Sequence, residues 1–202
     1  VRAITGMGSY SRGTIEISGQ DIKGYSVEKI RKLKLAHIPA DRMTMGMAPR
    51  LSITENMIAD KLGWKRFFKK GVRDKRAVKE YGDEMVKQYL IFCKSQDVAI
   101  NSLSGGNIQK AIVGREFLQD NDLLIIEDPT RGIDVGAKSE IYTLIEKISE
   151  RGASVIIISS EIPELQSICD RVAVMREGRV TGVLGSEEFQ DAETILKYSI
   201  GG

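Results

Sequence analysis

Two short apolar segments on either side of an amphipathic one restrict the fold of this chain more than any other feature. Residues 123–126 (LLII) and 155–158 (VIII) have the composition of buried strands. Between them, residues 135–150 place four apolar side chains on one face of a helix: Ile141, Leu144, Ile145 and Ile148. Gly152 is a natural stop for that helix. Two strands joined by a helix form a βαβ unit, so the sequence predicts an α/β fold whose parallel sheet is covered on both faces.

The two ends of the chain predict additional sheet structure. The alternating pattern of residues 13–19 predicts a half-buried strand between two turns. Residues 27–33 then predict a short helix, and residues 35–38 a further strand. Towards the end, residues 172–175 and 180–184 predict two strands that flank a tight turn.

The middle of the chain has a helical pattern. Residues 53–92 are strongly charged, and we expect Val78, Met85 and Leu90 to form a buried stripe. Residues 107–118 predict an amphipathic helix. The sequence therefore predicts a helical lobe in this region.

The charge and the cysteines argue against a polyanion-binding protein, a cysteine metal site and a disulfide framework. The net charge is only +2, from 30 basic and 28 acidic residues, so no overall attraction to polyanions is expected. The basic segment Lys61–Lys79 is better explained as a solvated helix surface than as a nucleic-acid or lipid patch. Cys93 and Cys169 have no metal-ligand spacing, and we expect both to be small buried residues in a reducing compartment. We interpret His37 as a strand histidine without a catalytic role.

A glycine motif predicts an anion site. Ser104, Gly105 and Gly106 stand directly before the predicted helix of residues 107–118. Glycines allow a ligand to approach the backbone, and the free amides of a helix N-terminus attract a phosphate. The same residues would also suit a simple cap and turn, so this motif alone does not identify a function.

Two carboxylates make the nucleotide interpretation specific. Glu127 and Asp128 follow the strand of residues 123–126, at the sheet edge where α/β folds bind ligands. In phosphoryl-transfer sites one carboxylate holds Mg²⁺ and another orients the attacking water. The two features together predict a nucleotide-hydrolysing protein.

Several motifs resemble those of the ATP-binding-cassette (ABC) ATPases. Residues 103–110 (LSGGNIQK) resemble the signature motif in the form found in monosaccharide importers. Residues 129–138 resemble the D-loop that follows the Walker B strand of that family. Residues 158–165 followed by 170–175 are similar to its switch region, and residues 38–42 with 53–57 resemble its Q-loop segment. The resemblance covers nearly the whole chain.

The resemblance implies a P-loop NTPase-like ABC cassette with a mainly parallel sheet, an antiparallel β piece and an inserted helical lobe at about residues 41–118. Residues 1–202 would be a single ABC ATPase domain, the second or C-terminal cassette of a polypeptide that usually contains two. The phosphate loop G-x-x-x-x-G-K-[ST] is absent from the sequence. We therefore expect the chain to begin just after that loop, without the N-terminal strand, and to bind ATP weakly or not at all on its own.

The resemblance also implies which residues meet ATP and Mg²⁺. Two cassettes enclose ATP between the phosphate loop of one and the signature of the other, so the signature would touch nucleotide held by a partner cassette. Asp134 would cross the interface beside it, and Asp41 alone could serve at the Q-loop position. The implied nucleotide-binding residues are Ser104, Gly105, Gly106, Asn107, Gln109, Asp41 and Asp134. The implied catalytic residues are Glu127, which would also bind the metal, Asp128, and Ser160 at the place of the switch histidine.

The acidic pair departs from the family pattern. Glu127 and Asp128 reverse the usual order of Asp then Glu. The metal-binding side chain is therefore one methylene longer, and the water-positioning side chain one methylene shorter, than in the family. A misplacement of about 1 Å can cost roughly a hundredfold in rate. We hypothesise that this site is slow or non-hydrolytic, whereas Ser104, Gly105 and Gly106 complete an active site on the partner.

The resemblance thus implies the ATPase subunit of a monosaccharide importer, bound peripherally at the cytoplasmic face of the plasma membrane. The expected partners are a second cassette in the same polypeptide, transmembrane permease subunits facing the helical lobe, and indirectly a periplasmic or extracellular sugar-binding protein, with no nucleic acid. A nucleoside importer ATPase and a non-hydrolytic regulatory cassette stay open as alternatives. A cassette that acts on ribosomes or DNA would need coiled-coil arms or an extended basic linker, and neither is visible.

Overall fold

The structure of the chain, a computed structural model, describes residues 1–117 and 121–201. The chain divides into two units, Val1–Ile156 and Ile157–Gly202, and its interpretation as a single domain stays a prediction. None of the helices in the described ranges has the length and apolar character needed to cross a bilayer.

The elements of the first unit follow one another along the chain as β1 (Glu16–Ile17), β2 (Gln20–Asp21), α1 (Val27–Arg31), β3 (Leu35–Ile38), a π-helix (Arg42–Gly46), α2 (Ile53–Met57), a 3-10 helix (Lys65–Phe67), β4 (Phe68–Lys69), β5 (Val72–Arg73), α3 (Lys75–Gln88), a second 3-10 helix (Ile100–Ser102), α4 (Gly105–Phe117), β6 (Leu123–Glu127), α5 (Val135–Glu150) and β7 (Ser154–Ile158). The boundary between the two units falls within β7. The second unit continues with α6 (Ile162–Ile168), β8 (Arg171–Arg176), β9 (Arg179–Gly185), α7 (Ser186–Phe189) and α8 (Ala192–Ile200).

The strands β3, β6 and β7 form one sheet with β6 in the middle. β3 and β6 run parallel, and His37 lies opposite Ile125. Between β6 and β7 the helix α5 spans the predicted residues, and Gly152 follows it with a φ of +94° that favours glycine. The predicted βαβ unit and the α/β fold class are confirmed.

One part of that prediction is wrong, because β7 is not buried along its length. Ile156 and Ile158 are 42% and 38% exposed, and exposed and half-buried residues alternate along the strand. β7 is an edge strand of this sheet, and successive side chains of a strand point to opposite faces. The face that carries Ile156 and Ile158 is therefore only partly covered.

A small hairpin precedes the parallel sheet. β1 and β2 pair antiparallel around Ser18 and Gly19, both with positive φ, so the strand predicted for residues 13–19 is shorter than expected. The hairpin joins a core cluster with α1 and both parallel strands: Ile17, Ile22, Ile30, Leu35 and Ile125.

The region of the predicted lobe contains more than helices. β4 and β5 form an antiparallel hairpin, so the basic segment Lys61–Lys79 is not a continuous helix surface. Lys61 itself is buried, donates to the carbonyl of Arg115 at 3.1 Å, and has its pKa lowered by burial. The extent of the lobe stays a prediction, and Leu118 at its predicted end lies outside the described residues.

The buried stripe of α3 differs from the predicted one. Met85 is buried and Val78 is half-buried, but Leu90 is 72% exposed because it follows the helix in a left-handed turn with a φ of +51°. Tyr81 and Tyr89 fill the interior instead.

Two smaller predictions are also wrong. The helix α4 is buried on nearly all sides rather than amphipathic, since even Lys110 and Glu116 are buried and paired, Lys110 with Glu140 and Glu116 with Arg31. Cys93 and Cys169 are half-buried rather than fully buried, and burial raises the pKa of both thiols.

The second unit contains the predicted C-terminal hairpin. β8 and β9 pair antiparallel around Glu177 and Gly178, which both have positive φ. Its core cluster comprises Val172, Val174, Leu184, Phe189 and Ile195.

A tight contact between α4 and the end of α3 yields a stability prediction. A Cβ on Gly114 would lie 2.7 Å from the ring atom Cδ2 of buried Tyr89. Alanine favours a helix over glycine by about 1 kcal/mol, but overpacking a core typically costs about 1–3 kcal/mol. We expect Gly114→Ala to lower the free energy of unfolding by up to about 2 kcal/mol, measured by urea unfolding followed by circular dichroism.

Gly136→Ala provides the matched control for this substitution. The nearest atom to a Cβ at Gly136 is Oδ1 of Asp134, at 3.5 Å, which is an ordinary contact. We expect this variant to be neutral or slightly stabilised. A Gly114→Ala variant as stable as the control would contradict the close packing against Tyr89.

Candidate functional site

The signature turn, Ser104–Gly106, packs against the segment that follows β6. A Cβ on Gly106 would lie only 2.8 Å from Cβ of Ala137, and a Cβ on Gly105 would lie 3.5 Å from the carbonyl oxygen of Gly132. Any side chain at Gly106 would push the start of α5 away. Close packing within the chain therefore requires a glycine at position 106, whatever ligand the turn also meets, whereas Gly105 makes ordinary contact with Gly132.

Asn107 holds this turn in place with both ends of its amide. Its Nδ2 donates to Oγ of Ser104 at 2.9 Å, and its Oδ1 accepts from the backbone N–H of Phe92 at 2.7 Å. The sequence assigned Asn107 to nucleotide binding, whereas the structure gives it internal partners. Its contact with nucleotide stays a prediction.

Gln109 is not on the surface that carries Ser104. It is only 2% exposed, and its Oε1 has no hydrogen-bond partner among the described residues. The structure therefore does not bring Gln109 together with the exposed Ser104.

Glu127 has a partner that the sequence did not reveal. Its Oε1 lies 2.7 Å from Nε2 of His37 on the neighbouring strand β3. Because His37 pairs with Ile125, and Glu127 is two residues further along β6, the three side chains share one face of the sheet. Only the register of β3 against β6 reveals this contact, and the sequence does not fix that register.

Asp128 directly follows β6 and has a strained backbone conformation. Its φ is +45°, a left-handed value that costs a non-glycine residue about 1–2 kcal/mol. Its carbonyl accepts from the backbone N–H of Arg131 at 3.2 Å, and its Oδ2 lies 3.4 Å from Nη1 of Arg131. The backbone thus turns sharply where the predicted catalytic carboxylate is attached.

The two carboxylates fit part of a Mg²⁺ site. Their side chains are partly exposed, 28% for Glu127 and 23% for Asp128, and offer the oxygen ligands that Mg²⁺ prefers. Among residues 1–117 and 121–201, no group of three or more His, Cys, Asp or Glu side chains could hold a metal ion. One or two carboxylates completed by nucleotide phosphates is a common Mg²⁺ arrangement.

The two other predicted acids both cap helical turns. Oδ1 of Asp134 accepts from the backbone N–H of Ala137 at 3.0 Å and so caps α5. Asp41 accepts from the hydroxyl and the backbone N–H of Thr44 at the start of the π-helix, and these hydrogen bonds lower the pKa of Asp41. Both side chains remain exposed.

Ser160 lies in the second unit, two residues after the end of β7. It is exposed, and the neighbouring Ser159 accepts from the backbone N–H of Glu161 at 3.0 Å. Its catalytic role stays a prediction.

Arg42 was not predicted to belong to the site. Its Nη1 donates to the backbone carbonyl of Arg131 at 2.9 Å, and its Nη2 lies against Gly105. The only sequence signal was its place at the end of the segment that resembles the Q-loop.

Comparison with known proteins gives a consistent family. A model of the family described as "ABC transporter" matches residues 1–131. The galactose/methyl galactoside import ATP-binding protein of Treponema pallidum is 37% identical over 200 residues, covering 98% of this chain and 40% of that protein. The ribose import ATP-binding protein of Bacillus cereus is 37% identical over 203 residues, covering 100% and 40%. The arabinose import ATP-binding protein of Vibrio parahaemolyticus is 38% identical over 200 residues, covering 99% and 39%.

The chain spans about 40% of the length of these relatives. Solved structures share its fold. A dimeric ATP-binding cassette in a post-hydrolysis state, bound to ADP and Pi, superposes with a TM-score of 0.74 at 17% identity, over 92% of this chain and 78% of that one. A cassette from Clostridium perfringens, part of an ABC transporter complex, gives 0.73 at 24% identity, over 99% and 77%.

The cap at Asp134 yields a prediction that separates structure from function. Removing an N-cap side chain costs about 1 kcal/mol, whereas Asn caps as well as Asp. We expect Asp134→Ala to lower the free energy of unfolding by about 1 kcal/mol and Asp134→Asn to change it little, measured by urea unfolding. Equal losses in both variants would show that the charge of Asp134, and not its cap, stabilises α5.

Proposed function

Because the chain belongs to the ABC transporter family, we propose that it is one of two nucleotide-binding cassettes whose ATP hydrolysis powers the import of a monosaccharide. One structural observation carries this proposal. The signature turn packs so closely against Gly132 and Ala137 that the turn and the D-loop (residues 129–138) form one continuous surface.

The signature turn has the properties of a phosphate contact. It leads into α4, and the first backbone N–H groups of a helix have no partner within that helix. These amides and the helix dipole favour an anion by about 0.3–1 kcal/mol. We propose that Ser104 and the amides of this turn meet ATP held by the partner cassette.

Glu127 and Asp128 would serve a different nucleotide, the one bound to this cassette. Glu127 would hold Mg²⁺, which neutralises charge on the phosphates when bound. The hydrogen bond from His37 fixes the direction of the Glu127 carboxylate. Asp128 would orient the attacking water from a backbone that already turns sharply.

The relatives support a proposal for the substrate class and the partners. They are named as import proteins for galactose, ribose and arabinose, so a monosaccharide is the proposed cargo. The proposed partners are a second cassette, transmembrane permease subunits and, indirectly, a sugar-binding protein. We place the subunit peripherally, at the cytoplasmic face of the plasma membrane.

Reconstitution of the complete polypeptide with its permease in lipid vesicles tests this function. We expect Mg²⁺-dependent ATP hydrolysis that rises when the binding protein is loaded with ribose, galactose or arabinose. The same measurement with nucleosides serves as the comparison. Stimulation by nucleosides alone would reassign the cargo, and the absence of hydrolysis would favour a regulatory cassette.

The reversed acids yield a second prediction. The double variant Glu127→Asp with Asp128→Glu moves each carboxylate by one methylene, which restores the family order. Since a displacement of about 1 Å can change a rate by roughly a hundredfold, we expect turnover at this site to rise at least about tenfold. Single-turnover hydrolysis in the complete protein measures it.

Glu127→Asp alone is the control for the double variant. It shortens the side chain that accepts a hydrogen bond from His37 but leaves the water-orienting side chain of Asp128 unchanged, so we expect no gain in turnover. A double variant with unchanged turnover would show that the order of the acids does not limit this site.

A further inference from the structure

Arg42, at the start of the π-helix, contacts both the signature turn and the D-loop. We propose that Arg42 is a positioning residue that fixes the spacing between the signature turn and the D-loop. Its effect on ATP turnover rests on the proposed function, whereas its effect on the D-loop does not.

The contact with the D-loop is a hydrogen bond to the main chain. Nη1 of Arg42 donates to the carbonyl of Arg131 at 2.9 Å. The next residue, Gly132, has a φ of +67°, and the backbone turns beside this bond. A side chain that holds the carbonyl of Arg131 therefore holds the bend of the D-loop.

The contact with the signature turn is steric. A Cβ built on Gly105 would lie 3.3 Å from Nη2 of Arg42, closer than most real contacts of this kind. The same Cβ would lie 3.5 Å from the carbonyl oxygen of Gly132. The guanidinium thus fills the space between Gly105 and the D-loop, and the missing side chain at Gly105 makes that space available.

The base of Arg42 is also held in place. A Cβ on Gly46 would lie 3.3 Å from Cβ of Arg42 and 3.3 Å from Cδ1 of Ile112. Arg42 begins the π-helix that ends at Gly46, so the helix packs its first residue against its last and against α4. This packing limits the positions that the guanidinium can occupy.

The Arg42 guanidinium is held in place without an ion pair. Within the described ranges, no carboxylate lies within ion-pair distance of the Arg42 guanidinium, although its side chain is half-buried. The group also lies beside the first residue of α4, where the positive end of the helix dipole disfavours a cation. The guanidinium is therefore held by its hydrogen bond to the main chain and by packing, and not by an ion pair.

Lysine cannot reproduce this geometry. The guanidinium is planar and reaches both Arg131 and Gly105 with its two terminal nitrogens, whereas an ammonium is a single point donor. Lysine could keep the hydrogen bond but would leave part of the space beside Gly105 empty. The variant Arg42→Lys should therefore show an intermediate effect.

The experiment compares Arg42→Gln and Arg42→Lys with Arg50→Gln in the complete polypeptide. Arg50 is an exposed arginine from the same region and provides the matched control for loss of charge. Two quantities are measured: hydrogen exchange of the backbone amides of residues 130–134, and kcat and KM for ATP. Circular dichroism and thermal unfolding establish that each variant is folded.

We expect exchange in the D-loop to be about fivefold faster or more in Arg42→Gln, less affected in Arg42→Lys and unchanged in Arg50→Gln. We also expect kcat to fall about tenfold in Arg42→Gln, with a smaller change in KM. The signature turn and the D-loop would be misplaced when the two cassettes close around ATP, which is after ATP has bound. If Arg42→Gln does not fold, the same comparison of Arg42→Lys with Arg50→Gln decides.

Unchanged exchange in the Arg42 variants would overturn the positioning role, whatever their ATP turnover. Faster exchange with unchanged kcat, in a protein that hydrolyses ATP, would overturn its importance for turnover. If the wild-type protein does not hydrolyse ATP, the proposed function fails, and the exchange rates still decide whether Arg42 holds the D-loop.

Discussion

The parallel pairing of β3 with β6 is the constraint on which the candidate site depends. The two strands end together, since Ile38 lies opposite Ile126. The segments that follow them therefore leave the sheet at the same edge, where open α/β sheets bind ligands. This common exit allows Arg42 to reach the carbonyl of Arg131, and it also brings His37 to Glu127. A shift of the register by one residue would move His37 to the other face of the sheet and remove its contact with Glu127.

The site also requires the backbone of the signature turn to lie close to the D-loop and the start of α5. Gly105 and Gly106 pack against different parts of the same segment, and the contact of Gly106 with Ala137 leaves no room for a side chain. The polar side chains nearby are then used to hold the backbone: Asn107 ties the turn to Phe92, and Asp134 caps α5. The residues that resemble ligand contacts in the sequence thus also shape the turn. Their structural and functional roles are not alternatives, because a loosened turn would also misplace its amides.

The sequence predicted the elements whose pattern is local. The bounds of α5 and the turn at Glu177 and Gly178 agree with the structure, because caps and glycine turns are encoded within a few residues. It did not predict the hairpin of β4 and β5, whose charged residues resemble a helix surface. The burial of Tyr89 in place of Leu90 was also missed, since it depends on where α3 ends and on the space that Gly114 leaves in α4.

In the site, too, local features were predicted and contacts between distant residues were not. The sequence placed Glu127 and Asp128 at the end of a strand, but not the partner of Glu127, which comes from a strand ninety residues earlier. That partner bears on the reversed order of the acids. An aspartate at this position would be one methylene shorter and could not hold the 2.7 Å contact with His37 without movement of the backbone. The glutamate is therefore matched to its neighbour on β3, so its carboxylate is held by the sheet rather than free to adopt the position of a shorter side chain. The side chain that holds Glu127 thus lies in β3, outside the motif in which the reversal is seen.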